Sequence, residues 1–139
     1  MIDKAILHEA ASETRRMNKV ADIIITTLEE LKGKGIPDRN TRGILIVAEE
    51  VRDEIAQLER RIYTAVDSDE NLMEIIEEKL DGVLDGTQAF RETLDIFRFH
   101  FYNINDESDD ILERAYTYAK SLYVIAVGVE EIIETARYV

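Results

Sequence analysis

Cysteine is absent from the chain, which excludes disulfides, thiolate zinc sites and cysteine nucleophiles. Proline occurs once and glycine six times in 139 residues. So few helix breakers in a chain of that length predict long, uninterrupted elements. Long hydrophobic runs are missing too. The charge-free run at residues 121–129 is bounded by Lys120 and Glu130, far short of the roughly 20 apolar residues that a membrane-spanning helix needs. The first 16 residues carry Asp3, Lys4, Glu9, Glu13 and Arg15, which leaves no signal-peptide core. These absences give the expectation of a cytoplasmic protein with no membrane partner.

Basic charge is in short supply: 17 Lys and Arg face 30 Asp and Glu, for a net charge of −13. The excess is uneven. Residues 67–113 hold fifteen acids and only Lys79, Arg91 and Arg98, a local charge of −12. A surface of that sign repels phosphate backbones, so nucleic acid is not an expected partner. A solvated face that keeps the chain soluble is the simplest account of the acids.

What the sequence does contain is helical periodicity. Apolar residues recur at steps of three and four. They are Ile6, Ala10, Met17, Val20, Ile24, Leu28 and Leu31 in a first stretch, then Ile44, Ala48, Val51, Ile55, Leu58, Ile62 and Ala65 in a second. A third runs through Met73, Ile76, Leu80, Val83, Phe90, Leu94, Phe97 and Phe101, and a fourth through Leu112, Ala115, Ala119, Leu122, Ala126, Val129, Ile133 and Ala136. Three breaks separate them. Gly33 to Asp38 contains two glycines and the proline. Asp67-Ser68-Asp69 offers Ser68 or Asp69 as a cap for the next helix, and residues 103–108 offer Asp106 or Ser108. The expected fold is all-α: a single domain over residues 1–139, an up-down-up-down antiparallel four-helix bundle with helices of about 25–35 residues.

The fourth stretch is apolar around more of its circumference than the others. Ile111, Tyr118, Ile125 and Ile132 form a second stripe at heptad spacing beside the first, and Tyr116, Tyr123 and Val127 widen it. A helix that is apolar on several sides must be covered on several sides. Ile111, Tyr118, Ile125 and Ile132 are therefore the expected interface of a homo-oligomer, with a symmetric dimer the favoured form. Phe99 and Tyr102 lie off the core stripe of the third helix, so the end of that helix is expected to bury a second face.

Acids supply the one candidate chemical site. Glu49, Glu50 and Asp53 share the second helix, and Glu78, Asp81 and Asp85 share the third. In an antiparallel hairpin turning near residue 68, Glu50 and Asp53 fall near the level of Asp81 and Asp85. Carboxylates converging from two helices would suit magnesium. The EExxD pattern followed by ExxD resembles that of the MazG-type all-α nucleotide pyrophosphohydrolases. The resemblance covers residues 49–81. It implies magnesium held by Glu49, Glu50, Asp53, Glu78 and Asp81, and hydrolysis of a nucleoside triphosphate to the monophosphate.

Other chemistries find no support. A ferritin-like di-iron site needs two Glu-x-x-His pairs, whereas Ala5 precedes His8 and Phe97 precedes His100 by three positions. Gly82 and Gly86 lie four apart without the Lys or Ser/Thr of a phosphate loop. Arg15, Arg16 and Lys19 form a basic cluster that acids on a neighbouring helix would pair. The leading expectation is thus a non-catalytic bundle with no cofactor, self-associating and acting through protein–protein contact. A magnesium-dependent hydrolase is the first alternative, and an acidic mimic of nucleic acid, acting as an inhibitor, the second.

Overall fold

A computed structural model describes residues 3–68 and 72–137. Four helices follow one another: α1 (Lys4–Glu29), α2 (Asp38–Asp67), α3 (Met73–His100) and α4 (Asp106–Arg137). At 26, 30, 28 and 32 residues they match the lengths that sparse glycine and proline predict. Each packs against two neighbours, α1 on α2 and α4, α3 on α2 and α4, and no diagonal pair touches among the described residues. The result is an antiparallel up-down bundle, square in section.

The periodic residues make its core. Met17, Leu28, Ile55, Leu58, Ile76, Phe90, Leu94 and Leu112 are almost wholly buried. Ala115, Ala119 and Ala126 alternate with Leu112 and Leu122 along the inner line of α4, and all five are buried.

A helix in a square bundle has two neighbours at right angles, so its buried arc must reach both. This accounts for the wide apolar arc of α4. Tyr116 and Tyr123 lie beneath the guanidinium groups of Arg98 and Arg91 on α3, with 4.1 and 5.1 Å from cation to ring centre. Arg114 reaches the other way, to Glu30 at the end of α1 (3.5 Å). Ile111 and Tyr118 stand three before and four after Arg114, on the same flank. Ile111 and Ile125 are buried within the bundle and Ile132 is half-buried, which leaves Tyr118 as the exposed member of that stripe. Ile111 and Ile125 thus serve the monomer rather than an outer surface.

Two loops at one end of the bundle are bound together. The chain leaves α1 through Gly33 and Gly35, both in the left-handed region at φ 74° and 101°. A Cβ on Gly35 would lie 2.9 Å from Ile104 of the α3–α4 loop, so glycine is required there for shape as well as for φ. Beside it, the Lys34 carbonyl accepts from the Asn105 side-chain amide (2.5 Å) and from the buried Ser108 hydroxyl (2.9 Å). Lys34 also pairs with Glu107 at 2.7 Å. The other end of the Asn105 amide accepts from the Ser108 N–H at 2.8 Å and caps α4.

The cap of α4 is therefore Asn105 and not Asp106 or Ser108, since Ser108 is turned inward to Lys34. At the middle turn, Ser68 ends α2 instead of starting α3. Leu72 stands at the α3 cap without a side-chain bond, and Asp69 lies outside the described residues. The close of α3 also differs from expectation. Phe97 and Phe101 pack with ring centres 4.7 Å apart, but Phe99 and Tyr102 are exposed. No second face is buried there, because α3 has only the two neighbours α2 and α4.

Replacing Asn105 with Ala removes the cap and one of the two hydrogen bonds at Lys34. Urea unfolding is expected to register a loss of about 1–2 kcal/mol. Phe90→Ala, which empties the centre of the core, is expected to cost about 3–5 kcal/mol by the same measurement. A smaller loss for Phe90→Ala than for Asn105→Ala would contradict this ranking.

Candidate functional site

The acids of α2 and α3 are set by the register of those helices. Lys79 donates from Nζ to Gln57 Oε1 at 3.0 Å, which fixes one level of the pair. Val51, Ile55 and Leu58 hold the core-facing line of α2. The carboxylates must therefore flank that line rather than occupy it. Glu49, Glu50, Asp53, Glu78, Asp81 and Asp85 are all exposed.

They also diverge. Asp53 lies 3.8 Å from Arg52, which in turn reaches Asp22 on α1 at 3.6 Å. Glu49 lines a hollow at the corner between α1 and α2. Glu50 lies close enough to Glu54 to perturb its ionisation. Among the described residues, no three His, Asp or Glu side chains come together closely enough to hold a metal ion. The convergence of Glu50, Asp53, Asp81 and Asp85 expected from the hairpin is not what the helices produce.

A different acid holds the position between α2 and α3. The Glu54 carboxylate lies against two glycines of α3: a Cβ built on Gly86 would stand 3.0 Å from its Oε2, and one on Gly82 would stand 3.9 Å away. Partial burial raises the Glu54 pKa above its ordinary value, the charge of Glu50 adds to the rise, and Lys79 works against both. Glycine inside a helix costs about 1 kcal/mol relative to alanine. Two of them four apart on one face were the available signal that another helix's side chain comes close.

The remaining charged contacts pin helices together. Arg15 of α1 bonds Glu59 (3.3 Å) and Tyr63 of α2, and Asn18 donates to the same Glu59 at 2.9 Å. This bears out pairing of the α1 basic cluster across the helix boundary for Arg15, whereas Arg16 pairs with Glu13 of its own helix. Arg98 bonds Asp95 at 2.6 Å and Glu113 across the α3–α4 boundary. His8 and His100 are both exposed, and His100 packs edge-on against Phe101.

A hollow of about 600 Å³ lies at the α1–α2 corner, lined by Lys32, Asp38, Thr41, Arg42, Leu45, Ile46 and Glu49. Spacing along the chain gives no hint of it, because it forms between Lys32 of the α1–α2 loop and the first turns of α2. Among the described residues, no helix is long and apolar enough to cross a membrane. Comparison with known protein families, curated proteins and solved structures finds no match to this chain.

Two outcomes follow for the acids. A carboxyl whose pKa is raised on folding binds its proton more tightly in the folded state. Its adverse contribution is absent at low pH and grows as pH rises from about 4.5, the ordinary glutamate value, through the raised one. Glu54→Gln is therefore expected to melt above the parent protein at pH 7, with the difference closing below pH ~4. A variant that melts lower at pH 7 would contradict this. Separately, millimolar magnesium is expected to move the melting temperature by less than about 1 °C. A rise of several degrees that Glu50→Gln abolishes would return Glu49, Glu50, Asp53, Glu78 and Asp81 to consideration as ligands.

Proposed function

We propose that the protein is non-catalytic and acts by protein–protein contact, with a second copy of itself as its partner. The observation that carries this reading is an exposed apolar strip at the end of α3. Ile96 is 71% exposed, Phe99 86% and Tyr102 67%. Ile96 and Phe99 lie three apart on the last turns of α3, and Tyr102 follows just past its end. Single exposed apolar residues are ordinary, but a contiguous strip with a nearly bare phenylalanine is characteristic of contact surfaces. Aromatic side chains are also the residue type that most often anchors such contacts.

The outer side of α4 is the other apolar surface. It offers Val124, Tyr118 and the half-buried Ile132. With Ile111 and Ile125 covered by the bundle itself, this side presents less apolar surface than the sequence stripe promised. The α3 strip is the better contact. Dispersed acids elsewhere favour a limited association over open-ended assembly, since a net charge of −13 makes additional copies repel.

Size-exclusion chromatography with light scattering tests the reading. At tens of micromolar, the mass is expected to exceed the 16.0 kDa of one chain. The double variant Ile96→Ser, Phe99→Ser is expected to return it to the single-chain value with its helical circular dichroism unchanged. A single-chain mass for the parent protein at all concentrations would end the proposal. Loss of association in Tyr118→Ser, Val124→Ser alone would shift the contact to α4.

A further inference from the structure

We propose that the hollow at the α1–α2 corner binds a small anionic amphiphile. Its apolar body would rest on Leu45 and Ile46, and its acidic head would lie between Lys32 and Arg42. The proposal concerns a free small molecule and does not depend on self-association.

Four observations converge on this corner. The first is charge. Residues 31–43 carry Lys32, Lys34, Arg39 and Arg42 against the single acid Asp38, a local basic excess in a protein of net charge −13. Lys34 is engaged by Glu107. Lys32 and Arg42 line the hollow and form no ion pair among the described residues. Cations left unpaired beside a cavity, in a chain with so many acids to spare, are positioned for an external anion.

The second observation is the helix end. Pro37 occupies the cap of α2 and supplies no side-chain hydrogen bond, unlike Asp3 at α1. The first turn of α2 therefore keeps its positive dipole end without a side-chain cap; its one acid, Asp38, is offset by Arg42 one turn on, which also lines the hollow.

The third is a buried hydroxyl. Thr14, Thr27 and Thr87 each donate to the carbonyl four residues back, at 2.7, 2.7 and 2.8 Å. Thr41 is as buried as they are, at 3% exposure, yet its Oγ1 has no partner among the described residues. Thr41 is one of the residues that line the hollow. An unpaired buried hydroxyl is costly to the bundle and useful to a ligand.

The fourth is size and lining. About 600 Å³ falls within the roughly 300–1,000 Å³ of small-molecule sites. Leu45 and the half-exposed Ile46 give the hollow an apolar floor. Glu49 stands eleven residues along α2 from Asp38, or roughly 16 Å. It makes the far end unsuited to a second negative charge, so the ligand is acidic at one end only.

Octyl phosphate below its micelle concentration is the probe, titrated calorimetrically into the intact protein, with octyltrimethylammonium as the counter-probe. The expected result is one molecule of octyl phosphate per chain and no measurable binding of the cation. Lys32→Glu and Arg42→Glu, both at exposed positions, are each expected to weaken binding by about tenfold or more. Thr41→Val, which removes the orphan hydroxyl without changing shape, is expected to weaken binding while leaving the melting temperature equal or higher. That combination separates a ligand contact from a structural one. The proposal is overturned if octyl phosphate does not bind, if the cation binds equally well, or if affinity is indifferent to all three substitutions. Tight adsorption to phosphatidylglycerol vesicles that survives both charge reversals would also overturn it, since the anion would then be read elsewhere.

Discussion

A ring of four helices is closed only where the first meets the last, and that junction depends on contacts between residues far apart in sequence. Here, beside the packed core, the loops flanking that junction meet at one carbonyl. Lys34, at the exit of α1, receives the Asn105 amide and the Ser108 hydroxyl from the start of α4. The other three junctions follow consecutive helices and are assisted by short loops. The α1–α4 junction has no such help, so its loops must be held in register by side chains. Gly35, Asn105 and Ser108 are each constrained by it: the first by lack of space, the second by bonding in two directions, the third by burial. Once the ring is closed, every helix has two neighbours, and the width of each apolar arc follows.

The fold was legible because helical periodicity is a direct imprint of burial. Leu112, Ala115, Ala119, Leu122 and Ala126 were readable as an inner line and lie in one. The same line could not say how many neighbours cover a helix. The arc of α4 therefore suggested a partner, where α1 and α3 account for most of it. The caps were legible in kind but not in place. Asn105, Asp106 and Ser108 are all good cap residues, and the choice among them rests on Lys34, some 70 residues away.

The candidate site was less legible for a related reason. Acids three and four apart share a helix face, which the sequence states correctly. Their aim across to another helix depends on which residues hold the core line and which cations lie near. Val51 takes the inward position, and the exposed Asp53 lies beside Arg52. Glu54, one residue further, fits over Gly82 and Gly86 because those glycines leave room. Its carboxylate is thus placed by what α3 lacks, a feature that charge counting overlooks.

The two ends of the bundle are chemically unlike, and this bears on where function resides. The end formed by the α2–α3 turn lies in the acidic half of the chain. The opposite end gathers the exit of α1, the start of α2, the close of α3 and the start of α4. That end holds the basic corner with its hollow, the bonded loops, and the exposed Phe99, Tyr102 and Ile104. Stability alone explains the loop bonds but neither the bare aromatics nor the unpaired cations, which lower the free energy of nothing within the monomer. A polar or charged residue at Phe99 would serve a solitary bundle better. The proposed apolar contact and the proposed anion site lie on different helices of this same end, so each would be lost by its own substitutions while the ring beneath them stays closed.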